Sequence, residues 1–119
     1  MHKIHFYRNP QGEQPVLEYM RELAQRKDKD SRIKLSKIQD YIKVLRRLGK
    51  AAGRPYMKPL RGDIWELRPL RDRILFVAWH EDSFVLLHVF MKKTQKTPQR
   101  EIEKAERELK DLQERGDWS

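Results

Sequence analysis

Along this chain the spacing of apolar residues changes twice, and each change marks a boundary between kinds of structure. An alternating apolar segment over residues 3–8 predicts a first strand. It is closed by Asn9-Pro10-Gln11-Gly12, a dense turn cluster. From Pro15 the period lengthens. Val16, Leu17, Met20, Leu23 and Ala24 recur at helical spacing, and proline suits the first turn of a helix. The polar segment Lys27-Asp28-Lys29-Asp30 breaks this helix. A second is predicted from Ser31, read as its N-cap, with Ile33, Leu35, Ile38, Tyr41, Ile42, Leu45 and Leu48 as its apolar stripe and Gly49 as its stop. Two helices with a short polar link predict an antiparallel hairpin.

Past Gly53 and Pro55 the pattern shortens again. The apolar runs Ile64–Arg68, Arg73–Trp79 and Phe84–Met91 are rich in β-branched and aromatic residues and are joined by hairpin-length links, which predicts an antiparallel meander. Tyr56–Leu60 offers a short extra piece before it. Thr97 as cap and Pro98 as first residue then open a third helix. Its apolar stripe is Ile102, Ala105, Leu109 and Leu112, its supporting ion pairs are Glu103–Arg107 and Glu106–Lys110, and Gly116 ends it. The predicted order is β-α-α-β-β-β-α, a single α+β domain over residues 1–119 with an antiparallel sheet packed on a helical hairpin and a C-terminal helix.

Charge adds a direction to this outline. The net charge is +9, from 27 basic and 18 acidic residues, and it is unevenly spread. Residues 31–62 carry +9 and residues 84–100 carry +4, whereas residues 101–119 carry −3. Two basic blocks suit a polyanion such as nucleic acid, through counterion release. They are equally what a heavily solvated surface looks like. Cysteine is absent, which removes disulfides and thiolate metal sites. No apolar run is long enough to span a bilayer, and the first residues read as a strand rather than a targeting segment. These features lead us to expect a cytoplasmic protein without a membrane partner.

The four histidines give no metal-ligand spacing, and no cofactor-binding motif is present, so no metal and no cofactor are expected. The remaining candidate chemistry is cationic. Arg68 ends one predicted strand and Arg73 begins the next, so they flank one turn. Period two puts Glu66 on the same face as Arg68. The third strand runs into Lys92-Lys93-Thr94-Gln95-Lys96, which the meander returns to the same end of the sheet. Converging cations suit phosphoryl chemistry on RNA, because they stabilise the charge that builds on phosphate oxygens when a 2′-hydroxyl attacks. A lysine crowded by cations has a lowered pKa and can serve as acid or base. The competing reading makes Arg68–Glu66 and Arg73–Asp72 ordinary surface pairs. His88 is either a satisfied sheet histidine or part of the site. Tyr56, beside basic Lys58, is either a base-stacking platform or a loop tyrosine packed on the sheet.

The segment Leu60-Arg61-Gly62-Asp63-Ile64-Trp65-Glu66-Leu67-Arg68 resembles a signature of the RelE/ParE toxin superfamily, and Arg73-Ile74-Leu75-Phe76 follows as its second hairpin strand. The stretch Leu86 to Pro98, running through Phe90-Met91-Lys92-Lys93-Thr94-Gln95-Lys96-Thr97-Pro98, is similar to phage-derived HigB-type toxins. The likeness extends over nearly the whole chain. It implies a RelE-like fold and the toxin of a type II toxin–antitoxin system, a ribosome-dependent, metal-independent mRNA endoribonuclease. It also implies a HigA-type helix-turn-helix antitoxin as partner, with the ribosome and mRNA as targets and operator DNA reached only through the antitoxin. Carried over by position, the catalytic candidates are Arg68, Arg73, Lys92, Lys93 and Lys96, with Glu66 and His88. The candidate contacts to ribosomal RNA are Lys37, Lys43, Arg46 and Arg47, with Tyr56 and Lys58. The chain departs from better studied HigB proteins in lacking a C-terminal acidic–aromatic–histidine cluster; it ends Gly116-Asp117-Trp118-Ser119. The superfamily also contains ParE-like gyrase inhibitors, and a non-catalytic basic RNA- or ribosome-binding module is a third reading.

Overall fold

The computed structural model describes residues 1–116, so the last three residues, and the chain end just named, lie outside the described residues. Strand β1 spans Lys3–Phe6, helix α1 Pro15–Gln25 and helix α2 Lys29–Leu48. A 3₁₀ turn at Gly49–Ala52 leads into β2 (Met57–Arg61), β3 (Ile64–Leu67), β4 (Asp72–Trp79) and β5 (Ser83–Met91), and α3 (Gln99–Arg115) follows. One five-stranded sheet has the order β1-β5-β4-β3-β2. Layered between the α1–α2 hairpin and α3, it is the RelE-like α+β fold that the resemblance implies.

The meander is antiparallel throughout, but β1 joins the edge of β5 in parallel, with Ile4 opposite Phe84 and Phe6 opposite Leu86. The antiparallel sheet expected from sequence is therefore mixed. Parallel pairing needs a long crossover, here the helical hairpin and the meander together, and nothing in Lys3–Phe6 names its partner. The short piece at Tyr56–Leu60 is a full fourth meander strand, paired to β3.

Each face of the sheet builds its own core. Toward the helical hairpin, Leu67, Ile74, Phe76 and Leu86 pack with Leu23, Ile38 and Leu45. Toward α3, Ile64, Leu75, Val77 and Leu87 pack with Ala105 and Leu112. The helical stripes hold, except that Ala24 is exposed and Ile33 and Leu48, near the two ends of α2, are 41% and 56% exposed.

The helix starts differ from expectation. Asp28, not Ser31, caps α2; its carboxylate accepts from the Ser31 backbone N–H at 2.9 Å and from the Ser31 hydroxyl at 2.9 Å. Asp28 lies three residues earlier, where its side chain reaches back to the third helical N–H. Thr97 does not cap α3 either, since its hydroxyl donates to Glu66 instead. Glu106 pairs with Arg61 of β2 at 2.7 Å rather than with Lys110, a cross-element contact that helical spacing cannot reveal. Gly49 and Gly116 end their helices as expected. At Gly49 the backbone is left-handed (φ 61°), and a Cβ there would meet the His2 ring at 2.8 Å.

A candidate cationic cleft at the sheet end

The site starts with the two-residue period of β3. Trp65 and Leu67 face the helical hairpin, which sends Ile64 and Glu66 toward α3. Glu66 is fully buried. A buried carboxylate is costly unless charges and donors surround it, and here they do. The Thr97 hydroxyl donates to its Oε1, while Oε2 lies 3.5 Å from Arg68 Nε and 3.9 Å from Arg73 Nε. The last two are ionic contacts, not aligned hydrogen bonds.

Arg73 is locked from the other side as well. Its Nη1 donates to the Leu70 carbonyl at 2.8 Å and to the Asp72 carbonyl at 2.8 Å. Only a tenth of its side chain is exposed, against a quarter for Arg68. Burial lowers the proton affinity of Arg73 and neighbouring Arg68 adds to this, while Glu66 and Asp72 act against it. A guanidinium stays charged through such a shift. The result is one fixed cation, Arg73, beside a more accessible one, Arg68.

A cleft of about 650 Å³ opens over this pair, and Lys92 and Lys93 line it together with Arg68, Arg73 and Arg71. Four of the residues singled out from sequence therefore meet there. The Lys92 amine is held below the usual lysine range, first by desolvation and then by Arg73, Arg68 and Lys58, with Glu66 opposing. Lys58 stands directly opposite Glu66 in the β2–β3 register. Lys96 lines an adjoining depression with Lys93, Thr97 and Arg100 at the start of α3.

Other candidates sit elsewhere. His88 is 1% exposed and does not line the cleft. Its Nδ1 lies 2.5 Å from Glu108 and its Nε2 3.1 Å from Glu101, so it binds β5 to α3. A bulge produces this orientation: Leu75 is opposite His88 but Phe76 is opposite Leu86, so Leu87 is extra. Leu87 and His88 both reach the α3 face, where strict alternation would have sent His88 toward the hairpin. The Tyr56 ring packs edge-on against Tyr41, centroids 5.1 Å apart, at the margin of the core. Lys37, Lys43, Arg46 and Arg47 are exposed on α2, in the layer across the sheet from α3, and do not line the cleft. Among the described residues, no group of three or more His, Cys, Asp or Glu side chains is placed to hold a metal ion. No described helix is long and apolar enough to cross a membrane.

Sequence reasoning missed four contributors. Arg71 lines the cleft, Thr97 holds Glu66, and Glu101 and Glu108 hold His88. Only Glu108 left a trace in the sequence, as a charge one residue from Leu109 on the apolar stripe of α3.

The family model for phage-derived Gp49-like proteins (DUF891) matches residues 16–110. The chain belongs to this family. The matched stretch contains every residue of the cleft, while β1 and the turn after it precede the match. A search of curated proteins gave no significant match. Within the Gp49-like chain, the arrangement is chemically suited to gripping a phosphate. It offers two guanidinium groups steadied by one buried carboxylate, two lysines lining the same cleft, and open access.

Proposed function

We propose that this Gp49-like protein is the toxin of a type II toxin–antitoxin pair, of HigB type within the RelE/ParE superfamily, and that it cuts mRNA on the ribosome. The observation that carries this reading is the open cleft lined by Arg68, Arg73, Lys92 and Lys93, with both arginines beside the buried Glu66. In the reaction, the 2′-oxygen of one nucleotide attacks the adjacent phosphorus and the bond to the 5′-oxygen breaks. The products are a 2′,3′-cyclic phosphate and a 5′-hydroxyl. Lys92, whose proton affinity is lowered, takes the 2′-proton in its neutral form, and a cleft ammonium group protonates the departing oxygen. Arg68 and Arg73 stabilise the charge on the phosphate oxygens. The exposed cations of α2, Lys37, Lys43, Arg46 and Arg47, give the protein its salt-dependent hold on ribosomal RNA. A HigA-type antitoxin restrains it and carries the complex to operator DNA, all in the cytoplasm.

The test is induction in bacteria without antitoxin, with 5′ ends mapped across the transcriptome. New ends inside translated reading frames, together with arrested translation, are expected. Intact mRNA with DNA breaks would identify a gyrase inhibitor instead. Arrest without new ends would identify a module that acts by occupancy.

A further inference from the structure

Five cations line the cleft at the sheet end, Arg68, Arg71, Arg73, Lys92 and Lys93, and no carboxylate is among the lining residues. Glu66, which steadies Arg68 and Arg73, is buried beside them. Among the described residues, the side chains of Arg71, Lys92 and Lys93 form no salt bridge and no hydrogen bond. The cleft therefore presents unpaired positive charge, which suits a small phosphate compound as well as a polymer.

Lys92 differs from the other cations of the cleft in what its nitrogen can do. Its backbone N–H donates to the Arg71 carbonyl at 2.8 Å, which fixes the residue beside the β3–β4 turn. It is half-buried, whereas Lys93 is exposed. Desolvation, then Arg73, Arg68 and Lys58, lower its proton affinity against the pull of Glu66. A lysine in that state presents more of the neutral amine, which is the nucleophilic form. Lys34 shows the opposite case. Burial works against its charge, but Tyr19 and Asp72 outweigh burial and raise its proton affinity. The guanidinium groups stay charged and do not compete as nucleophiles.

A nucleophilic amine in the wall of a phosphate-gripping cleft suits a reagent whose leaving group is phosphate. Acyl phosphates have that structure. We propose that Lys92 is a modification site, acylated in the cleft by small acyl phosphates whose phosphate group is held by Arg68, Arg71 and Lys93. Nζ forms a bond to the acyl carbon, and the bond from that carbon to the bridging oxygen breaks. The electron pair leaves with inorganic phosphate, and the proton released by the nitrogen passes to phosphate or water. One amide and one phosphate result, and nothing is oxidised or reduced. A reagent held beside the amine reacts at a raised effective concentration. The product has lost the ammonium charge and carries an acyl group in the cleft, so its hold on RNA phosphate falls. That this silences a nuclease rests on the proposed function, whereas the modification itself does not.

The experiment incubates the full chain with acetyl phosphate and follows acetylation at each lysine by mass spectrometry of proteolytic peptides. Lys92 should be acetylated about tenfold or more faster than Lys37 and Lys43, which lie outside the cleft. Excess inorganic pyrophosphate should suppress the reaction at Lys92 alone. The N-hydroxysuccinimide ester of acetic acid carries no phosphate, so with it the lead of Lys92 should shrink several-fold. Arg71 is exposed and is not among the cations that shift Lys92, so Arg71→Ala tests the phosphate grip without altering the amine. It should slow acetylation of Lys92 by acetyl phosphate and leave that by the ester unchanged. The treated protein should lose affinity for a fluorescent oligoribonucleotide, while Lys92→Arg protein should bind equally before and after treatment. No lead for Lys92 over the α2 lysines, or an equal lead with both reagents, overturns the inference. So does a reaction indifferent to both pyrophosphate and Arg71→Ala, or an equal loss of RNA affinity in treated Lys92→Arg protein. Because acetylation is read by mass without cleavage, absence of nuclease activity would refute the proposed function and leave this result standing.

Discussion

Oε2 of Glu66 lies 3.5 Å from Nε of Arg68, two residues further along the chain, and the carboxylate is fully buried while a quarter of the arginine side chain is exposed. The pair is thus anchored on one side and open on the other. Glu66 faces two cations and a hydroxyl donor, so neutralising it strands buried charge. Glu66→Gln should destabilise the fold by about 3 kcal/mol, the low end for breaking a buried ion pair because Arg68 remains partly hydrated. Urea denaturation measures this. A change within about 0.5 kcal/mol, the range of an ordinary surface substitution, would show that the carboxylate does not hold the cluster together.

The two arginines should separate in kinetics. The Arg68 side chain makes no aligned hydrogen bond to another described residue, but it is a close cation to the buried Glu66, so Arg68→Ala should lose about 10²–10³ in cleavage rate and only part of the stability that Arg73→Ala loses. Arg73 also fastens the β3–β4 turn through two carbonyls, so Arg73→Ala should lose both rate and stability. Arg73→Lys should not restore them, because an ammonium lacks the planar fork that reaches the carbonyls and Glu66 together. If folded Arg68→Ala protein still arrests growth at parental expression, its assignment to the cleft chemistry fails.

The proposed reaction uses lysine and arginine, not a coordinated water. With ribosome integrity maintained separately, activity should persist in EDTA, and the fragments should bear 2′,3′-cyclic phosphates. Mass spectrometry of the 3′ ends decides this. Uniform 3′-hydroxyls would contradict attack by the 2′-oxygen.

The cap of α2 sets part of the acid limb. Hydrogen bonds from the Ser31 backbone N–H and hydroxyl hold the Asp28 carboxyl below its ordinary value of 3.8. A depressed folded-state value means the stabilisation is complete above the unfolded value and disappears as pH falls through the folded one. Stability should therefore decline below pH 3.8, in part through Asp28. Asparagine caps without titrating, so thermal melts of Asp28→Asn across this range should show a shallower decline. An identical acid limb would remove the cap from the account.

How much of the site was legible follows from the range of each pattern. Alternation in Ile64–Arg68 was enough to place Glu66 and Arg68 on one face, and a hairpin-length link was enough to bring Arg73 beside them. Both are local properties of a strand and a turn. Thr97 was read as a cap because caps are recognised from neighbours in sequence, yet its hydroxyl bonds a residue 31 positions away. The face of His88 depends on a single extra residue, Leu87, and a bulge leaves no mark in composition.

The sequence by itself determined the elements, their order and the basic charge, since helical and strand periods, turn residues and titratable groups act over a few positions. Only the tertiary structure decided which charges became partners. It set β1 parallel to β5, buried Glu66 between two arginines, tied His88 to Glu101 and Glu108, and left Leu70 facing outward beside Met91. The physical reason is that burial and ion pairing depend on distances across the packed layers, and those distances exist only once the sheet has closed against its helices.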